Sequence, residues 1–288
     1  MKKNNLLILL LFISNILIGQ NHRFIYEYSF KMDSLSRENS AKELMNLDVS
    51  KNGSLFYSNE KFVYDSLVNA ELKKAEAIHS TNIDFSKFKN NSQVAFEVTK
   101  KYPTLETILH SSINGDKYAI VENENLNWTI LPENAEMNGY KIQKASTNFL
   151  GRKWIAWFTN DIQIQDGPYK FKGLPGLILK IEDEKGDHIF NFVGSRNLKF
   201  TPSYNSGYDD EKELTVSSKK FNQLWKEYIN DPAKKIKLIY ASTDVSNIMV
   251  KDANGKLLSQ VEVIKMKEQR LKDYLKKINN YLDLELYK

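Results

Sequence analysis

Between residues 94 and 158 the chain reads as one short extended segment after another. The segments 94–98, 104–111, 117–122, 127–131, 140–149 and 154–158 are separated by Asn114-Gly115, Pro132, Gly139 and Gly151. A parallel pair of strands needs a crossover of a dozen or more residues, and these connections are far shorter. The chain is therefore constrained to antiparallel pairing over its middle third.

The flanks extend the pattern. Phe24, Tyr26, Tyr28 and Phe30 alternate along 23–30, so they share one face of a strand. Leu44, Leu47 and Val49 predict a second strand and 54–58 a third, with Asn52-Gly53 as the hairpin turn between them. Residues 177–182 and 188–193 form a further pair around a charged turn with Gly186 at its tip. Helical spacing of Phe62, Leu67, Val68, Leu72 and Ala75 predicts a helix over 60–79, followed by a polar stretch over 82–92. Toward the C-terminus, residues 202–211 read as a polar loop. A helix is predicted over 217–230, capped by Ser217 or Ser218 and stopped at Asp231-Pro232. Residues 236–242 read as a strand, and the Lys-rich stretch 261–277 as a solvated helix. The expected fold is α+β and β-rich: an antiparallel curved sheet or half-barrel with helices covering one face. No linker divides residues 21–288, so one domain with a helical C-terminal portion is expected.

Lys2 and Lys3 precede an apolar run over 6–13 that breaks at Ser14-Asn15, with Gly19 and Gln20 beyond. A basic start, a run too short to cross a bilayer and a small residue near its end predict a signal peptide over 1–20. An exported chain follows, with no membrane span in its mature form. Loss of Lys2 and Lys3 takes the formal charge from +5 to +3, too weak a balance to point to nucleic acid. The 288 residues contain no Cys, which excludes disulfides, a thiolate metal site, a Cys nucleophile and a lipidated N-terminal Cys. A chain of this length can bury enough apolar surface to do without disulfides.

Familiar catalytic patterns are missing. There is no HExxH, GxSxG or P-loop, and no GxGxxG between a strand and a helix. Glu182, Asp183, Glu184, Asp187 and His188 cluster around Gly186, but turn chemistry accounts for them better than a cation site. Asp252-Ala253-Asn254-Gly255 lacks the later Glu of a calcium loop and reads as a turn. No cofactor or metal is expected.

The most distinctive stretch runs from Gly151 to Leu179. Asp166-Gly167-Pro168-Tyr169-Lys170-Phe171-Lys172-Gly173-Leu174-Pro175-Gly176-Leu177 is punctuated like a loop, yet Tyr169, Phe171, Leu174 and Leu177 are apolar. Pro175-Gly176 suits the centre of a type II turn, Gly167-Pro168 an extended approach, and Gly173 a close passage of backbone. A loop this apolar packs inward or binds something. Trp154 and Trp157 lie three apart on one strand, so they face opposite sides, and at most one belongs to a given core layer.

Together with Gly139-Tyr140, Lys144-Ala145, Phe149, Gly151-Arg152, Trp154, Trp157 and Phe158, this stretch resembles the signature of the GLPGLI family, named for the hexapeptide at residues 173–178. The resemblance is strong from Gly139 to about Asp183. It implies an exported protein of the periplasm or cell surface of a Gram-negative bacterium, with no established biochemical role. The C-terminal Asn279-Asn280 lacks the Pro frequent in that family, so nothing is carried over there.

Three functions are weighed. A non-enzymatic binding or carrier module would offer Trp154, Trp157, Tyr169 and Phe171 to an apolar ligand, with Arg152 and Lys170 engaging an anionic group and Gly167, Pro168, Gly173, Pro175 and Gly176 shaping the loop. It predicts a cavity beside that loop, set against the ordinary reading of strand aromatics as core. An envelope protein that partners an outer-membrane receptor would instead show an apolar patch over 167–177. A hydrolase using Asp161, Asp166 or His110 with Arg152 ranks last, because no nucleophile, base and orienting group can be named together.

Overall fold

The structure is a computed structural model that describes residues 21–80, 82–122, 126–199, 213–242, 250–251 and 254–288. The signal peptide over 1–20, the polar loop over 202–211 and half of the Asp252–Gly255 turn lie outside these residues.

β1 (His22–Phe30) sits near the middle of a twelve-stranded sheet, and its four alternating aromatics Phe24, Tyr26, Tyr28 and Phe30 are all buried. On one side of it run β2 (Ala41–Ser50), β3 (Gly53–Ser58), β4 (Glu97–Lys101), β5 (Glu106–Ile113) and β6 (Asp116–Glu122), each antiparallel to the last. On the other side come β11 (His188–Asn197), β10 (Leu177–Asp183), β9 (Arg152–Thr159), β8 (Tyr140–Phe149) and β7 (Thr129–Met137), also antiparallel. β12 (Leu214–Ser217) completes the sheet by pairing parallel with β6, an element and a direction the sequence pattern did not suggest. Among the described residues β12 and β7 remain the two open edges.

Strand pairing assigns side chains to two faces. Ser54, Phe56, Val98, Lys100, Thr107 and Leu109 alternate onto one face, called here the inner face, with Tyr26, Phe190 and Trp154. Leu55, Tyr57, Thr99, Ile108 and His110 occupy the outer face. Helices pack on both faces rather than covering one. α1 (Asn59–Ala77), capped by the Ser58 hydroxyl, lays Phe62 against Tyr57 on the outer face. α2 (Ser218–Asn230), capped by Ser217, buries Phe221 and Trp225, with Phe221 edge-on to Tyr118 of the inner face. Two short strands, β13 (Val250–Lys251) and β14 (Leu257–Leu258), pair apart from the main sheet.

Three other expectations change. Residues 236–241 of the expected strand lie in α3 (Lys234–Ala241), with Ser242 as its C-cap; Ile236 and Tyr240 fall four apart, the helical neighbour spacing that a short apolar run leaves ambiguous. Pro132 does not end a strand but sits inside β7, where a register shift between Ile130 and Asn134 and the edge position accommodate its missing N–H. The strand expected over 94–98 is displaced to β4, because Lys100 points into the protein rather than to solvent. α4 (Gln260–Lys277) starts with a capping box between Ser259 and Glu262. Beyond it the C-terminal tail returns to the inner face, burying Leu282 and Leu286.

Candidate functional site

The segment between β9 and β10, residues 160–176, folds back over the inner face, and residues 166–172 are buried throughout. Its glycines exchange the roles expected of them. Gly173 takes the positive φ, +88°, with open space around it. Gly176 has no positive φ; the Gly176 N–H donates to Leu174 O at 2.8 Å, closing a three-residue turn on Pro175 instead of a type II turn. Close passage occurs at Gly176, where a Cβ would lie 1.9 Å from Thr159 O, and at Gly167, where it would meet Ile178 at 2.8 Å. Tyr169 has φ +52°, a conformation that costs a bulky residue free energy and that its buried packing enforces.

Polar side chains fasten this segment to the sheet. The Asp166 carboxylate accepts from Lys100 Nζ, from Ser54 Oγ at 2.5 Å, from Tyr102 OH at 2.5 Å and from its neighbour Gly167 N–H at 2.6 Å. Both Lys100 and Asp166 side chains are fully buried. Burial pulls the Lys100 ammonium below its ordinary pKa against the opposing pull of Asp166, and burial together with Asp166 pushes the Tyr102 phenol well up. Lys170 Nζ lies 2.5 Å from Glu122 Oε1 of β6 and 2.7 Å from Asp283 Oδ2 of the tail. Lys172 Nζ donates to Leu105 O and to Thr107 Oγ1, while Trp128 Nε1–H donates to Lys172 O at 2.8 Å.

Of the six binding residues expected from the sequence, four gather here. Trp154 and Phe171 meet edge-on at 4.7 Å, Tyr169 packs 6.4 Å from Phe171, and Lys170 Nζ stands 5.2 Å from the Tyr169 ring. All four are buried, so in this conformation they fill the core. Trp154 Nε1–H is satisfied by Phe149 O at 2.9 Å. Trp157 points to the other face, half-buried, with Lys144 Nζ 5.9 Å from its ring, as the strand parity requires. Arg152 belongs to a separate cluster: it donates to Asp183 at 3.1 Å, Asn280 at 2.8 Å and Tyr281 O at 2.6 Å. Asp183 also accepts the backbone N–H groups of Asp187 and His188, so the charged hairpin holds its own turn. Asp161, Asp166, His110 and Arg152 are not brought together: Asp161 is exposed, and His110 lies on the outer face.

The outer face holds an arrangement the sequence did not disclose. Thr99 Oγ1 lies 3.1 Å from His110 Nε2, and Glu213 Oε2 lies 2.9 Å from His110 Nδ1. Burial lowers the His110 pKa, opposed by Glu213. Beside Thr99 opens a cavity of about 200 Å³, with Leu55 and Ile108 as apolar walls and Asn52, Lys101 and Glu106 as polar ones. Thr99 and His110 are diagonal neighbours across β4 and β5, a relation that only strand register reveals, and Glu213 arrives from outside both strands.

A family model described as a protein of unknown function (Porph_ging) matches residues 117–180, which include β8, β9 and the buried segment. No curated protein matches the chain. Similar solved structures include PNGF-II in space group P21, with a TM-score of 0.49 and 13% identity over 72% of this chain. PNGF-II in space group C2 gives a TM-score of 0.44 and 14% identity over 69% of this chain. The matched portion spans about a third of those chains, 33% and 31% respectively.

Proposed function

We propose that this chain is an exported protein of a Gram-negative envelope that acts by binding a small polar or anionic ligand in the outer-face cavity. The carrying observation is that cavity: apolar walls from Leu55 and Ile108, a cation at Lys101 and the Thr99 hydroxyl converge on one side of the sheet. Its volume, about 200 Å³, suits a ligand smaller than the usual drug-sized occupant. The geometry favours this face over the aromatic one. Eight strand-to-strand steps separate β6 from β9, roughly 38 Å in a flat sheet. Yet the adjacent residues Lys170 and Phe171 touch Glu122 of β6 and Trp154 of β9. That bridging supports reading the sheet as a curved half-barrel whose concave side is filled by its own segment, leaving the outer face for ligand.

The test is native mass spectrometry of protein purified from its own envelope, beside the Ile108→Trp variant, whose indole fills the cavity. A co-purified small molecule on the natural chain that is lost from the variant supports the reading. A bare natural chain overturns it.

A second reading rests on a different observation. Phe62, Val63 and Leu67 stand 44%, 46% and 49% exposed along one side of α1, a stripe fit for a protein partner of the envelope. An envelope protein cross-linked through this helix, and released by Leu67→Glu, would favour partner binding over ligand carriage.

A further inference from the structure

Three buried groups meet from places remote in the sequence. Lys170 comes from the segment between β9 and β10, Glu122 from the end of β6 and Asp283 from the C-terminal tail. Their side chains are 1%, 7% and 3% exposed. Lys170 Nζ is 2.7 Å from Asp283 Oδ2 and 2.5 Å from Glu122 Oε1, while Asp283 Oδ1 accepts the Leu286 backbone N–H at 2.9 Å. Burial also drives the neighbouring Tyr169 phenol well above its ordinary pKa, with Asp283 and Glu122 adding to the effect.

We propose that Lys170 and Asp283 are joined by an amide bond formed within the folded chain, with Glu122 as the proton relay. The starting pair is an ammonium and a carboxylate. Its proton passes from Lys170 to Asp283 Oδ2, leaving a neutral amine and a neutral acid. The Nζ lone pair then attacks Asp283 Cγ. The charge that develops on Oδ1 faces the Leu286 N–H, as an oxyanion donor should. Glu122 takes a proton from the attacking nitrogen and returns one to the leaving hydroxyl at Oδ2. One water departs, one amide forms, and Glu122 ends as the carboxylate it began as. No oxidant or cofactor is consumed. Glu122 and Asp283 together hold the Lys170 ammonium above its usual range against the effect of burial, so attack starts from a minor form of the pair.

The same chemistry does not extend to Lys100 and Asp166. Four donors converge on Asp166, and the other acceptors of Lys100 among the described residues are the backbone carbonyls of Gly167 and Phe171, whereas Lys170 places one ammonium between two carboxylates, the second of which can carry the proton. In a chain with no cysteine, such a bond would tie the tail to the core as a disulfide does elsewhere.

Intact-mass measurement of the denatured full chain, followed by peptide mapping, is the test. The expected result is a mass one water below that of the chain with its observed N-terminus, and a branched peptide containing Lys170 and Asp283. Lys170→Arg, which keeps the charge, and Glu122→Gln, which keeps the shape, are expected at their full masses. A natural chain at full mass, or a water loss mapped to any other residue, overturns the bond irrespective of how the variants fold. Cross-linking that persists in Glu122→Gln overturns the relay.

Discussion

Gly176 and Gly173 sit three residues apart in one loop and resist a methyl group for different reasons, which makes them a useful pair. At Gly176 the obstacle is the backbone carbonyl of Thr159, 1.9 Å from the position a Cβ would take, so β9 or β10 must shift. At Gly173 the space is open and only the φ of +88° resists. We expect Gly176→Ala to cost about 3 kcal/mol, as overpacking does, and Gly173→Ala about 1–2 kcal/mol, the ordinary left-handed penalty. Urea midpoints measure both, and equal losses would show that the close passage is not limiting. Asp166→Asn leaves the buried Lys100 ammonium without its counter-charge and should lower stability by about 3–5 kcal/mol in the same measurement. His188 supplies the pH dependence. Buried, with Arg152 nearby, its pKa falls from 6.5 to about 3. The folded chain keeps it neutral while the unfolded chain protonates it, so stability is complete above about 6.5 and declines as pH falls toward 3. The loss reaches roughly 2 kcal/mol by pH 5. Denaturation of the natural chain and His188→Gln at pH 7 and pH 5 isolates this share, since other titrating groups are common to both. A variant that loses as much as the natural chain would remove His188 as the source.

At the scale of elements, legibility followed locality. The alternation over β1, the pairing of β2 with β3 and the cap of α2 are decided by neighbours in sequence and are present in the structure, with the hairpin turn at Lys51-Asn52, one residue before the expected Asn52-Gly53. The elements that escaped are decided from a distance. β12 is four residues with three polar or exposed positions, and it becomes a strand only because β6 lies beside it. α3 is too short for its period to exclude a strand. Lys170 is expected from the sequence to engage an anionic ligand, and nothing near it, Lys100 or Lys172 in sequence signals that Asp166, Glu122, Asp283 and Thr107 wait in the interior. The tail after α4 is the clearest case. Residues 278–288 carry little pattern, yet they supply Asp283 to Lys170, Asn280 and Tyr281 O to Arg152, and the buried Leu282 and Leu286. A chain ending at Lys277 loses two leucines worth about 1.5–3 kcal/mol each, beside the partners of two buried cations. We expect it to unfold at a urea concentration well below that of the full chain, and near-equal midpoints would show the tail to be an accessory.

For the whole molecule, stability should be graded outward from the centre of the sheet. β1 is flanked by β2 and β11, its aromatics stack on Phe190 and meet Phe56 and Phe192 edge-on, and the Tyr26 hydroxyl donates to Ile178 O at 2.8 Å. The pairing of β1 with β11 joins residues more than 150 positions apart, so these contacts form only when the halves of the chain assemble. At the far edge β7 is exposed along almost its whole length, carries Pro132 and is broken by a register shift. On the outer face α1 buries only Ala75. Local opening follows such differences in burial and backbone solvation. Native-state hydrogen exchange should therefore find the amides of Tyr26, Tyr28, Leu47 and Phe190 exchanging only through global unfolding, with a urea dependence equal to that of the full transition. Amides of β7 and α1 should exchange through smaller openings with weaker urea dependence. If β7 proved as protected as β1, its edge would have to be covered by something other than the described chain, and the outer face of that strand would become the place to look for a partner.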